Sequence, residues 1–119
     1  MSESTVQAHI RIAAAKAGWK LYRNNVGVLT DSRNIPVRFG LANDSKQLNE
    51  MIKSGDLIGW RPLVITPDMV GKSVAQFVSI ECKRDGWNPG ANTRDVAQKR
   101  WADMVNKAGG YAIISRGEL

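Results

Sequence analysis

The chain has 119 residues, 43% hydrophobic and 24% charged, which fits one soluble globular domain spanning residues 1–119 and excludes a disordered or fibrous chain. No apolar run approaches the roughly 20 residues that cross a bilayer, and Met1-Ser2-Glu3-Ser4-Thr5 lacks the basic start and apolar core of a secretion signal, so a cytoplasmic protein without a membrane partner is expected. Cys82 is the only cysteine, which rules out an internal disulfide and a cysteine-rich zinc site, while the formal charge of +6 favours polyanionic partners that exchange counterions for Lys and Arg.

In chain order, Ser4-Thr5-Val6-Gln7 has the form of a capping box, and Val6, Ile10, Ala14 and Ala17 recur at helical spacing up to Gly18. This predicts a helix over about residues 4 to 17. Trp19 to Arg23 reads as a short strand followed by a turn at Asn24-Asn25-Val26-Gly27. Residues 28 to 44 give no clear period, although Val37-Arg38-Phe39 suits a short strand. Ser45 caps a brief helix carrying Leu48, Met51 and Ile52, which stops at Ser54-Gly55. Asp56 to Ile65 is a strand candidate weakened by Pro62. A turn over Pro67 to Lys72 then leads into a second strand from Val74 to Lys83, predicting an antiparallel hairpin. Residues 84 to 93 form a loop. Asn92 or Thr93 caps a helix on which Ala97, Trp101, Met104, Val105 and Ala108 share a face, and after Gly109-Gly110 a last strand runs from Tyr111 to Ser115. The order predicts an α/β fold, a mixed sheet flanked by helices.

The stretch with most chemical content is Phe77-Val78-Ser79-Ile80-Glu81-Cys82-Lys83. On a strand, Val78, Ile80 and Cys82 point one way and Ser79, Glu81 and Lys83 the other. The first set reads as the core face, with an inert thiol on Cys82; the second carries a carboxylate and an ammonium at the strand's C-terminal end. If Asp56 opens the antiparallel partner, its carboxylate lies across from Glu81, at about the 5 Å cross-strand spacing that lets two carboxylates share a cation. Such a pair suits Mg²⁺ or Mn²⁺, which polarises a phosphodiester and activates bound water while a lysine stabilises charge. Asp44-Ser45-Lys46 repeats the acid-x-Lys pattern but has no apolar strand behind it, so it is set aside. On the residues alone, a surface ion pair accounts for Glu81 and Lys83 equally well.

Gly55-Asp56, then Ile80-Glu81-Cys82-Lys83, then Gln98 with Trp101, then Gly109-Gly110-Tyr111, resembles the VRR-NUC branch of the PD-(D/E)xK nuclease superfamily, in its standalone phage or bacterial form. The resemblance runs from Glu3 through Arg23-Asn24-Asn25 to Ser115. It implies a restriction-endonuclease-like central sheet and a metal-dependent DNA endonuclease. In this likeness Asp56 and Glu81 bind metal, Lys83 is catalytic, Gln98 lines the site, and Glu3 approaches the metals from the first helix. The Cys82 backbone carbonyl is a further candidate metal ligand. Ser54-Gly55 stands where the superfamily's eponymous proline would, and Thr66 to Ser73 looks like an insertion. The likeness also implies a homodimer acting on branched DNA such as four-way junctions, inside a bacterial or phage-infected cell.

Arg84, Trp87, Arg94, Lys99 and Arg100 supply candidate DNA contacts, Trp87 by stacking and the others on phosphates. His9 is the sole histidine, so hydrolysis built on paired histidines lacks its parts. A non-catalytic DNA-binding module on the same fold is the alternative reading; RNA binding fits the charge but has no aromatic sheet motif behind it.

Overall fold

A computed structural model describes residues 1–119 as two compact units, Met1–Pro62 and Leu63–Leu119. Together they contain three α-helices and six short strands, an α/β composition, and the strands pair as three two-stranded sheets. No helix is long and apolar enough to cross a membrane.

The first unit opens with α1 (Glu3–Lys16). Its cap is Ser2, not Ser4: the Ser2 hydroxyl accepts from the Thr5 amide at 3.2 Å and also meets the Ser4 and Thr5 hydroxyls. Starting earlier adds helical hydrogen bonds at no loss of capping chemistry, because both serines can serve. Gly18 adopts φ +80°, the left-handed conformation that ends helices most cheaply at glycine. Strand β1 (Lys20–Arg23) follows, then β2 (Gly27–Thr30) and β3 (Pro36–Phe39), which form an antiparallel hairpin pairing Gly27 with Phe39 and Thr30 with Pro36. The region without a clear period is thus a hairpin. Its turn is organised by Asp31, whose carboxylate accepts from the Ile35 amide at 2.9 Å and the Arg33 amide at 2.8 Å. The Ile35 bond, together with those from the Arg33 side chain and amide, outweighs desolvation and holds the carboxyl below its ordinary range. Behind the hairpin, Asn43 is 2% exposed. Its amide donates to the Gly27 and Phe39 carbonyls and its side-chain oxygen accepts from Arg38, so this buried polar group is satisfied.

Helix α2 (Lys46–Met51) is capped by Ser45, as its sequence predicts. Strand β4 (Leu57–Trp60) ends before Pro62 and pairs antiparallel with β1, matching Arg23 with Leu57 and Lys20 with Trp60. In the second unit a short 3₁₀ turn (Pro67–Met69) precedes β5 (Val78–Cys82), α3 (Thr93–Lys107) and β6 (Tyr111–Ser115). Strands β5 and β6 are parallel, from Val78 opposite Tyr111 to Cys82 opposite Ser115. The expected hairpin of 56–65 with 74–83 is therefore corrected: β4 takes β1 as its partner and β5 takes β6. A parallel pair needs a long crossover, and α3 provides it. Val105, 1% exposed, anchors α3 near the buried Ala112 of β6. Asn106 ties the same helix end to β6 by giving its amide to the Ala112 carbonyl and accepting the Ala112 N–H.

Candidate active site

Side chains on β5 alternate as a strand requires, but the covered face is the polar one. Ser79 and Glu81 are half-buried while Val78 (53%), Ile80 (38%) and Cys82 are exposed. The expectation that Val78, Ile80 and Cys82 face the core is overturned. Helix α3 covers Ser79 and Glu81 because it brings partners for both. The Trp101 indole N–H donates to the Ser79 hydroxyl at 2.8 Å, and Gln98 Nε2 donates to Glu81 Oε1 at 2.8 Å. Trp101 also meets Phe77 edge to face, with ring centroids 6.4 Å apart. Polar groups at such a layer cost little when each is hydrogen-bonded.

Within the second unit, Glu81, Lys83 and Gln98 come together as the sequence anticipates. Lys83 Nζ lies 3.8 Å from Glu81 Oε1 and 3.6 Å from Asp95 Oδ1, with the Trp87 ring centroid 5.2 Å away. The Lys83 side chain is only 12% exposed, Asp95 is 11% and Glu81 41% exposed. Asp95 is the residue that sequence reasoning missed. Its signal is present: an acid three residues after Asn92 sits at the third position of α3. There its backbone N–H donates to Asn92 Oδ1 at 2.8 Å, and Asn92 Nδ2 donates to its carboxylate at 3.1 Å. Read as a helix cap alone, it hides its second partner, Lys83.

A cavity of about 310 Å³ opens beside this group, lined by Ser79, Glu81, Arg94, Gln98, Trp101 and Ala112 among others. Gln98 Oε1 is buried and takes no hydrogen bond. Of the candidate DNA contacts, Arg84, Arg94 and Arg100 are exposed. Lys99 pairs with Asp103 at 2.8 Å, a solvent-exposed bond that is readily exchanged. Trp87 is half-buried, one face of its indole engaged by Lys83, and its carbonyl accepts from Arg116 at 3.1 Å.

Asp56 and Glu3 belong to the first unit. Glu3 is exposed in the first turn of α1. Asp56 is exposed just before β4, on a loop tied down by Asn24. Asn24 Nδ2 donates to Ser54 Oγ at 2.7 Å and to the Gly55 carbonyl at 2.9 Å, while its Oδ1 accepts from the Leu41 N–H at 3.1 Å. The Asn24 amide also donates to the Asp56 carbonyl at 2.8 Å. Asn24 thus fixes the backbone that carries Asp56. His9 is exposed on α1.

No three of the chain's His, Cys, Asp and Glu side chains form a metal-binding group. The oxygens present nonetheless suit a hard cation. Both polar neighbours of Glu81 engage Oε1 and leave Oε2 free, and Gln98 Oε1 is buried and unbonded. Mg²⁺ retains several waters and needs only one or two carboxylates from the protein.

No family model matches the chain, and no solved structure matches it. Among curated proteins it is similar to methionine aminopeptidase 2-1 of Leptosphaeria maculans, with 37% identity over 76 residues, or 64% of this chain. The chain spans 16% of the length of that relative.

Proposed function

We propose that the chain is a divalent-metal-dependent DNA endonuclease of restriction-endonuclease-like fold, selective for branched DNA and active as a homodimer. The observation that carries the reading is the cluster at the end of β5. There Glu81 is oriented by Gln98, and a covered Lys83 stands within 3.8 Å of it. An ornamental surface ion pair would not be expected to recruit a half-buried glutamine from a neighbouring helix.

In this reading Glu81 holds Mg²⁺ or Mn²⁺ with the Cys82 carbonyl as a further ligand, and Asp56 is a ligand by the family resemblance alone, since the β4–β5 pairing that would set it across from Glu81 does not form. The bound cation would supply Lewis acidity and lower the pKa of its water. Gln98 fixes the Glu81 rotamer by the hydrogen bond that its side-chain amide donates to Oε1. Lys83 places a positive charge where the phosphate gains negative charge during attack. Arg84, Arg94, Lys99 and Arg100 bind backbone phosphates, and Trp87 stacks against an unpaired base.

The test is incubation of the full chain with labelled linear, flap and four-way-junction DNA, with and without Mg²⁺ or Mn²⁺. Cleavage is expected only with metal, and Asp56→Asn and Glu81→Gln should abolish it while leaving the circular dichroism spectrum unchanged. Undiminished cutting in excess EDTA overturns the reading. Tight DNA binding without cleavage under any metal would instead identify a binding module.

A further inference from the structure

Lys83 lies between two carboxylates yet within hydrogen-bond range of neither, at 3.6 Å from Asp95 and 3.8 Å from Glu81. Left alone with Glu81, a flexible ammonium would close onto it as a tight salt bridge, consuming the oxygens that the proposed cation requires. Asp95 opposes that collapse. Its carboxylate is 11% exposed against 41% for Glu81, so solvent screens its pull on Lys83 less. The Asp95 side chain is itself fixed by Asn92 at the start of α3, and the Trp87 ring flanks the ammonium at 5.2 Å. A free lysine samples many rotamers, and this enclosure removes that freedom before any substrate arrives.

We infer that Asp95 is a positioning residue that holds the Lys83 ammonium apart from Glu81, leaving the carboxylate open and the cation aimed at the phosphate. The catalytic half of this inference rests on the nuclease reading; the positional half does not. The test therefore has two readouts on the full chain. The first is acylation of lysine amines by acetic anhydride, quantified by mass spectrometry, with Lys107 in the last turn of α3 as the internal reference. In the native protein Lys83 should react far more slowly than Lys99, whose side chain is 72% exposed. Asp95→Asn keeps the backbone bond to Asn92, and so the helix cap, but discards the charge. It should change Lys83 acylation severalfold while Lys107 stays constant.

The second readout is cleavage kinetics. Asp95→Asn should lower kcat about tenfold with KM within about twofold, the pattern of an interaction used in the transition state. Asp95→Glu, which restores the charge, should recover most of both the Lys83 protection and the kcat. Unchanged Lys83 acylation in Asp95→Asn, or a kcat loss that Asp95→Glu fails to recover, overturns the assignment. A native protein that cuts no DNA removes the nuclease reading alone, since the acylation ratio still decides whether Asp95 positions Lys83.

Discussion

Lys83 carries the sharpest residue-scale expectation. It touches the proposed phosphate site through charge, and several other cations share the work of binding. Lys83→Ala should therefore reduce turnover by orders of magnitude while DNA affinity falls only slightly, as judged by single-turnover cleavage beside an equilibrium binding titration. Affinity collapsing in step with rate would reassign Lys83 to substrate binding. Asp31 supplies a second expectation, on pH. Its carboxyl is held below the ordinary range, chiefly by the Ile35 amide, so the folded state prefers the charged form. The stabilisation is present above the unfolded carboxyl's range and is lost as pH falls through the lowered folded value. Amide resonances of Arg33 and Ile35 should move together in that acid window, and Asp31→Asn should abolish the shared transition. Separate or absent transitions would show that the turn does not depend on the Asp31 charge.

At the level of elements, Gly59 of β4 is the position least able to accept a side chain. A Cβ there would come within 1.7 Å of the Lys20 carbonyl oxygen on β1. Gly59→Ala is expected to force the two strands apart and lower stability by at least about 2 kcal/mol, read as a shift in the urea midpoint. A midpoint within error of the native one would mean that the ladder relaxes freely. Much of this element map was legible beforehand. Asn92 and Ser45 announced their helices because only a few side chains can cap an amide, and Tyr111 to Ser115 followed a glycine pair that ends α3. Pairing was not legible. Alternation along Val78 to Cys82 reports that two faces exist, but not which face a helix will cover, nor whether the neighbouring strand is β4 or β6. Apolar content pointed to Val78 and Ile80 as core, whereas Gln98 and Trp101 decided the matter through hydrogen bonds made from far along the chain. Asp95 escaped for a related reason: its cap contacts are local and visible in the spacing from Asn92, while its ion pair is tertiary.

For the molecule as a whole, the exposed apolar surface bears on self-association. The β2–β3 hairpin and its flanks leave Val28, Leu29, Ile35, Val37, Phe39 and Leu41 exposed, Leu29 at 67%. Pairing of this surface about a two-fold axis would remove it from water. Light scattering at micromolar concentration should then give about twice the chain mass of 13.1 kDa. Replacing Leu29 and Val37 by serine should return the monomer, and a wild-type mass of one chain refutes the dimer. Four-way junctions should also be cut faster than linear duplex of matching sequence. Equal rates would keep the nuclease and discard the junction preference.

The Asn24 clamp has a consequence for the order in which these parts assemble. Its bonds reach Leu41 and Gly55, 17 and 31 residues away, whereas Lys83 finds Asp95 across only 12 (95 − 83). Closing a loop of 31 residues costs about 0.8 kcal/mol more than closing one of 12, before any other difference between the units is counted. The backbone carrying Asp56 should therefore open more often than the surroundings of Lys83. In native-state hydrogen exchange, the Asn24 and Leu41 amides should lose protection at a lower denaturant concentration than the Asp95 amide.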